Sequence, residues 1–526
     1  YSPRVMFLRS GAARSSPARR LDTLSRHLKS AADTAGKTHD YDLIVIGGGS
    51  GGLACSKDAA SFGKKVAVLD YVVPSPNGTQ WGLGGTCVNV GCIPKKLMHQ
   101  AALLGHSLKD APFYGWQGVE SKGFSWEELR TAVRNHVRSL NWGHRVQLKE
   151  KGVDYFNARG TFVDPHTIET TTKDGKKTFL KSKNFVIAVG GRPKYPDHVP
   201  GALEYGITSD DVFYLEKPPG KTLVVGGSYV ALECAGFLRG LGFPTTLMVR
   251  SHCLKSFDQD VAGLVVRNLE KRGVHLLIHC EPKMVAKSSQ QLSVQWHCFD
   301  DQQDKEDQWD TVLFATGREP CVAGLALDQA GVRVDPQTKK IVVDQYDASV
   351  SMPHIFAIGD VAMGRQELTP VAVKAGKMLA RRLFGGTSEV MNYHMVPTTV
   401  FTPLEFASVG LAEEKAVERH GEEAIEVYHA YYKPLEFYLP GTDSGECYIK
   451  LVCLRDPDPS KETVLGLHMT GPSAGEMLQG FAVAMGRGMS RMDLELAVGI
   501  HPTCAEEVLK LHTTKRSGKD PAITAC

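Results

Sequence analysis

Two short β-branched runs that each lead into a glycine-rich turn and then a helix-compatible stretch, together with a C-terminal part of alternating apolar runs, predict an α/β protein. The predicted architecture is two Rossmann-like nucleotide-binding domains plus an α+β interface domain. At 526 residues the chain exceeds one compact core, and about three or four units are expected. The boundaries read as 1–39 for an N-terminal segment, 40–195 for the first part of one nucleotide domain, and 196–320 for the second. Residues 321–391 return to the first domain, 392–510 form the interface domain, and 511–526 form a tail.

The first pattern is Tyr41-Asp-Leu-Ile-Val-Ile46 followed by Gly47-Gly-Gly-Ser-Gly-Gly52 and a helical stretch from Leu53 to Phe62. In this G-x-G-x-x-G spacing, Gly47 permits a tight turn, Gly49 close approach of a pyrophosphate, and Gly52 close helix packing. The helix start then offers unpaired N–H groups to phosphate. A second strand from Lys65 to Leu69 ends at Asp70, placed to accept hydrogen bonds from an adenosine ribose. A glycine turn in an α/β fold without a ligand is the competing reading.

The second pattern is Thr222-Leu-Val-Val-Gly226 feeding Gly227-Ser-Tyr-Val-Ala231. Ser228 and Ala231 stand at the second and third glycine positions, so the match is degraded. The next strand, Thr245 to Val249, ends in Arg250, where a site for the unphosphorylated nucleotide would carry an acid. Arginine there, with Lys255 nearby, suits a 2′-phosphate and favours NADPH over NADH. Two solvated surface charges are the alternative. A third apolar strand closes on Gly359-Asp360 and implies the return to the first domain, whereas the runs Cys447 to Val452 and Val464 to His468 suggest an antiparallel sheet.

Composition excludes more than it identifies. Hydrophobic residues at 42% and charged residues at 23% are ordinary for a globular protein, and a net charge of +3 without long basic blocks argues against a nucleic-acid partner. No run approaches the roughly 20 apolar residues of a membrane span, so the chain reads as soluble. Twelve cysteines in this length are too sparse for a disulfide-stapled scaffold, and most read as buried thiols. The first twenty residues hold Arg4, Arg9, Arg14, Arg19 and Arg20 with Ser and Ala and no acid. That is transit-peptide composition and predicts mitochondrial import; a basic tail is the alternative.

The most informative segment is Gly84-Gly-Thr-Cys87-Val-Asn-Val-Gly-Cys92-Ile-Pro-Lys-Lys96. Two cysteines five positions apart and flanked by glycines can close a short disulfide at a helix start, where a thiol pKa falls from about 8.5 toward the reactive range. Zinc would need further ligands that do not follow in sequence, so no metal is expected. Two unreactive buried thiols remain the other possibility. Near the end, His501-Pro-Thr-Cys-Ala-Glu506 suggests an imidazole oriented by a carboxylate, which could take a proton from a thiol and return it. An ordinary packed histidine is the alternative.

In this order, GGTCVNVGCIPKK, the two nucleotide patterns, ATGR at 315–318, AIGD at 357–360 and HPTCAEE at 501–507 make the chain resemble the pyridine nucleotide–disulfide oxidoreductases of the glutathione reductase type. The likeness runs from about Asp40 to the C-terminus. Within that family it is most similar to the high-molecular-weight thioredoxin reductases, with the start suggesting the mitochondrial form.

The resemblance implies an FAD- and NADPH-dependent homodimer whose active site is shared between subunits, with thioredoxin as the protein partner. Cys92 would face the flavin and Cys87 would exchange with substrate, while His501 and Glu506 would come from the partner. Lys95 and Glu233 would pair near the flavin, and Tyr229 would gate the nicotinamide pocket. Asp360, with Gly359, and Thr86 would hold FAD, while Arg250 and Lys255 would hold the NADPH phosphate. Several relatives have arginine at the Lys255 position. Electrons would pass from NADPH through the flavin to the Cys87–Cys92 disulfide.

Three features separate this chain from glutathione reductases: Lys57-Asp58 in place of an arginine pair, the insertion Pro74-Ser-Pro-Asn-Gly-Thr-Gln-Trp-Gly82, and a tail running to Cys526. Reduction of a small disulfide such as glutathione's is the nearest alternative, and a non-catalytic NADPH-sensing flavoprotein is the one from another class. The vertebrate thioredoxin reductases end in Gly-Cys-selenocysteine-Gly. This sequence stops at Ala525-Cys526, as if read to a recoded stop codon, and weak thioredoxin turnover is expected of the chain as written.

Overall fold

The computed structural model describes residues 39–119 and 123–522. All but the last residue of the transit-like segment, and the tail cysteine Cys526, lie outside the described residues. The chain divides into two compact units.

The first unit comprises the described part of Tyr1–Tyr71 with Gln147–Val189 and Pro320–Val390. Its sheet is built on β1 (Tyr41–Ile46), which pairs in parallel with Val66–Leu69 on one side and Lys177–Ile187 on the other. Ile355–Ala357 adds in parallel to Lys177–Ile187, and Ala158–Asp164 and Thr167–Thr172 extend the sheet in antiparallel fashion. Five of the six β1 residues are buried, as a central parallel strand covered on both faces requires. Helix α1 (Ser50–Ser61) follows the glycine turn and packs on the helix Thr369–Phe384. A Cβ at Gly376 would lie 2.6 Å from the Gly51 carbonyl, so that helix pair meets backbone to backbone. The late segment 355–384 thus rejoins the first domain, as Gly359-Asp360 predicts.

The second unit, Val72–Val146, Gly190–Glu319 and Met391–Cys526, carries the cysteine segment, the second nucleotide fold and the interface lobe. The cysteine segment forms α2 (Gly85–Val90) and α3 (Cys92–Asp110). The insertion before it is tied down by one carboxylate: Asp211 accepts from the Ser75 hydroxyl at 2.5 Å, the Thr79 hydroxyl at 2.7 Å and the Asn77 amide at 3.4 Å. In the second nucleotide fold, β2 (Thr222–Val225) leads into α4 (Tyr229–Gly240), and β3 (Thr245–Val249) precedes α5 (Gln259–Lys271). The parallel sheet runs His275–Ile278, β3, β2, Thr311–Phe314. Beside it lies an antiparallel sheet of β4 (Cys280–Ser288), β5 (Gln291–Cys298) and Gln303–Trp309. The interface lobe is a five-stranded sheet from Thr398–Val400 to Thr463–Gly471 with the helix Ala474–Met485 on it, which is the α+β domain that the alternating runs predict. No helix among the described residues is long and apolar enough to cross a membrane.

A buried ion cluster ties the second nucleotide fold to the interface lobe. Lys450 has no exposed surface and contacts Asp258 and Asp260, each at 2.8 Å, and Glu413. Asp258 also caps α5 by accepting from Val261 N–H, and Lys515 reaches Asp260 and Glu413 from near the C-terminus. Burial alone would pull the Lys450 pKa down, but the charge of Asp258 and the three carboxylate bonds hold it above the ordinary lysine range. Removing one partner of such a group strands the other. Lys450→Met is therefore expected to destabilise the second unit by about 3–5 kcal/mol in urea melts, and adding Asp258→Asn to recover part of that loss. An unchanged urea midpoint in the single variant would contradict this.

Candidate functional site

In the first unit the turn 47–52 is shaped by backbone contact. Gly47 has φ +111°, and a Cβ there would lie 2.3 Å from the Ala188 carbonyl oxygen. A Cβ at Gly52 would lie 1.9 Å from the Gly47 carbonyl, so neither position admits a side chain. Gly49 precedes α1 and offers no side-chain cap, which leaves the first helical N–H groups for a ligand. Asp70, the residue expected to meet a ribose, accepts the Gly48 N–H at 2.9 Å and so braces the turn. Burial pushes the Asp70 carboxyl up to about 6, against the Gly48 bond, and donors from a ribose would relieve that cost. Gly359, with φ +71°, and the half-buried Asp360 follow the strand Ile355–Ala357 in the same unit.

The degraded turn of the second unit works the same way. Gly226 has φ +142°, and a Cβ on it would meet the Ala315 carbonyl oxygen at 2.4 Å. Ala231 is fully buried, its methyl 3.5 Å from that same point, so a small side chain fills the third position without a clash. The Ser228 hydroxyl donates to the Ala315 carbonyl at 3.3 Å and leaves α4 without a side-chain cap. Tyr229 is the half-buried first residue of that helix. Arg250 and Lys255 are both exposed beyond β3. Arg250 is ion-paired with Glu281 at 3.2 Å, and His198 shares that carboxylate at 3.1 Å. Neither Glu281 nor His198 carries a sequence signal, because their positions relative to Arg250 depend on how β4 packs.

The two cysteines sit on either side of a helix break. Cys87, with Thr86, is half-buried within α2, and Cys92 is the exposed first residue of the 19-residue α3. Gly91 makes the break possible, since a Cβ there would lie 2.9 Å from the Thr86 carbonyl and 3.2 Å from Cys87 Cα. The positive end of α3 favours negative charge on a sulfur at its first position. One turn on, Lys95 Nζ meets Glu233 at 2.7 Å and lies 4.3 Å from the Phe401 ring centroid. Glu233 is 3% exposed and also accepts the Phe401 N–H at 2.8 Å. The structure thus joins Lys95 and Glu233, as the resemblance implies.

A second charge group on α3 escaped sequence reasoning. Lys96 pairs with Glu405 at 3.1 Å, and the buried His99 has Nε2 3.9 Å from the same carboxylate. Glu405 also accepts the Gly475 N–H at 3.0 Å. Burial first, then the charges of Lys96 and Lys95, push the His99 pKa down to about 4, which keeps the ring neutral.

In the interface lobe His501 Nδ1 meets Glu506 Oε1 at 2.9 Å, and the His501 bond is the first cause that holds the Glu506 carboxyl below its usual range. Lys510 stands 3.5 Å from the same oxygen. His501 itself is exposed, and the residues before it present bare apolar side chains, Val498 at 96% and Ile500 at 77% exposure. An imidazole held by one nitrogen and open at the other can accept and return a proton.

The family described as pyridine nucleotide-disulphide oxidoreductase matches residues 41–376, and its dimerisation domain matches 396–512. Thioredoxin reductase SEP1 of Emiliania huxleyi is 53% identical to this chain over 495 residues, covering 92% of this chain and 98% of its own length.

His99 gives the site an acid limit. Its pKa is about 4 in the folded chain against an ordinary 6.5, so its contribution is fully present above pH 6.5 and is lost as pH falls toward 4. Urea melts of the parent are expected to lose about 3 kcal/mol more over that interval than those of His99→Gln. Parallel pH profiles of the two proteins would contradict the assignment.

Proposed function

We propose a specific activity for this chain, which belongs to the pyridine nucleotide-disulphide oxidoreductase family: NADPH-dependent reduction of thioredoxin disulfide through FAD and the Cys87–Cys92 pair. Enzymes of this family bind FAD and use a pyridine nucleotide to reduce disulfides. The observation that carries the reading is the α2–Gly91–α3 junction, which sets two cysteines around a helix start beside the Lys95–Glu233 pair. The relative's name supports thioredoxin as the substrate.

The residues present fit FAD. The turn 47–52 excludes side chains where a pyrophosphate would lie, and Asp70 needs the donors that a ribose supplies. Bound FAD supplies the two-electron relay between nicotinamide and thiols, chemistry that no side chain offers. The chain's own residues do the rest. Arg250 and Lys255 bind the nucleotide 2′-phosphate, and Glu233 fixes the Lys95 ammonium. Cys87 attacks the substrate disulfide to form a mixed disulfide and free one substrate thiol, and Cys92 resolves it, closing the Cys87–Cys92 disulfide and freeing the second thiol. His501, oriented by Glu506, holds the proton that the outgoing thiolate needs.

The dimerisation domain and the bare Val498 and Ile500 beside His501 support a homodimer in which this dyad serves the partner's cysteines. Against a glutathione-type site, Lys57 bonds Gln147 at 2.7 Å and Asp58 bonds Arg381 at 3.1 Å, so that helix face is engaged within its own unit. Beyond Glu507 the tail carries the proposed route toward thioredoxin as far as Cys526, whose redox partner the sequence as written does not include, and residues 1–39 direct the enzyme to the mitochondrion.

Anaerobic titration of the FAD-loaded protein with NADPH is expected to raise a long-wavelength thiolate–flavin absorbance band that Cys92→Ser lacks. Simple bleaching in the parent would sink the redox role of the pair and favour the sensing flavoprotein. Arg250→Gln is expected to raise the KM for NADPH about tenfold to a hundredfold and leave that for NADH unchanged. Equal shifts for the two nucleotides would refute the phosphate assignment.

A further inference from the structure

Outside the helix break, the fold sets another pair of cysteines directly across a sheet rung. Cys280 on β4 and Cys298 on β5 are direct cross-strand partners. On the neighbouring rung Phe299 N–H donates to the His279 carbonyl at 2.8 Å, which makes 280/298 the narrow, non-hydrogen-bonded kind of rung. Such rungs hold Cα atoms about 4.5 Å apart, inside the range of about 4.4–6.8 Å that a disulfide spans. The two side chains point to the same face of the rung, and the Cys280 sulfur donates to the Ile278 carbonyl at 3.3 Å. Both are thiols, buried among Trp296, Trp309 and Met248.

What lies next to the pair ties it to the nucleotide. Glu281 follows Cys280 directly and, by the alternation of a strand, turns to the other face, where its carboxylate holds Arg250 and His198. We propose that Cys280 and Cys298 are a redox-switched cross-strand pair, oxidised by peroxide to a disulfide that pins Glu281 against Arg250 and weakens binding of 2′-phosphorylated nucleotides. The nucleotide half of this inference rests on the NADPH reading above.

The chemistry balances with peroxide as the oxidant. One sulfur, losing its proton, attacks a peroxide oxygen and becomes a sulfenic acid as the O–O bond breaks and water leaves. The second sulfur then forms the S–S bond and expels the sulfenic oxygen, which leaves as water with the second thiol's proton. Two thiols and one peroxide give one disulfide and two waters. Burial, with the Cys298 contact, pushes the Cys280 thiol up to about 12, so oxidation is slow at neutral pH. A sulfur with that pKa is also a poor leaving group, so the disulfide once formed persists. The closed rung restrains the backbone one residue from Glu281, and an incoming phosphate must then break the Arg250–Glu281 pair against that restraint. Linkage makes the effect reciprocal: phosphate bound at Arg250 favours the dithiol.

The test uses the full-length FAD-loaded protein, treated with hydrogen peroxide at mildly alkaline pH, beside an identically treated Cys298→Ser variant. Non-reducing tryptic mapping is expected to find peptide 273–283 linked to 288–305 in the parent and not in the variant. Adenosine 2′,5′-bisphosphate, followed by calorimetry, is expected to bind the oxidised parent about tenfold more weakly than the reduced parent, with adenosine 5′-monophosphate unaffected. Glu281→Gln is expected to keep the cross-link and lose the affinity difference. Saturating bisphosphate is expected to raise the pair's midpoint potential by about 30 mV, the equivalent of that tenfold change. Absence of the linked peptides overturns the pair. Linked peptides with unchanged bisphosphate affinity overturn the coupling. If the reduced parent binds bisphosphate no better than monophosphate, the NADPH reading fails and takes the coupling with it, while the cross-link result stands separately.

Discussion

The close approach at Gly91 is the constraint on which the cysteine site depends. The chain must end one helix and begin another within a single residue, with backbone returning to within contact of Thr86 and Cys87. Any side chain at 91 would push the two helices apart. Because the new helix starts at Cys92, the later residues fall at helical spacing from it, and Lys95, Lys96 and His99 form one group of cationic and imidazole side chains on α3. Each lysine finds its carboxylate far away in sequence, Glu233 for Lys95 and Glu405 for Lys96, and the neutral His99 lies 3.9 Å from Glu405. Altering the break would shift the thiols and this charge group together.

The two nucleotide turns show how much of a motif is chemistry and how much is packing. In the first, three glycines keep the G-x-G-x-x-G form, and side chains at Gly47 and Gly52 would strike backbone oxygens. In the second the glycines are confined to the turn itself, where Gly226 combines a positive φ with a Cβ position 2.4 Å from the Ala315 carbonyl oxygen and a Cβ on Gly227 would lie 2.9 Å from the His252 carbonyl oxygen. Ser228 uses its hydroxyl on the Ala315 carbonyl and Ala231 fills a space that accepts one methyl. The degraded match is therefore a local packing variant, and it leaves the helix start as open as in the first copy.

The same comparison explains what was legible in the sequence. Strand, turn and helix are neighbours along the chain, so both nucleotide folds, the cysteine segment and the His501–Glu506 pair could be read from spacing. The return of 355–384 to the first unit was legible from Gly359-Asp360, since an apolar run ending in that dipeptide needs a sheet to join. Glu405, Glu281, His198 and Asp211 were not. Each acts by meeting a group brought from elsewhere by packing, and an isolated Glu, His or Asp leaves no periodic trace. The pairing of Cys280 with Cys298 was hidden for a related reason: it depends on register across the β4–β5 turn, and the register shift between Pro282 and Met284 disguises the count from one strand to the other.

A protein that exchanges disulfides must also keep its other thiols out of the exchange, and burial does this for several of them. Cys55, Cys234 and Cys504 are pushed up to about 12 and Cys253 to about 11, in each case first by burial. Near neutral pH a thiol of that kind is thiolate only about once in ten thousand to a hundred thousand molecules, and exchange runs through the thiolate. Cys447 and Cys453 are raised further still. Cys92, by contrast, is exposed at a helix start. The environments differ accordingly, one cysteine lying exposed at a helix terminus and these others held in a core. Cys280 shares the core's protection and differs in one respect, the second sulfur on its own rung. For an isolated buried thiol a rare oxidation leaves a sulfenic acid with nothing to resolve it, whereas here it is captured within the same pair of strands.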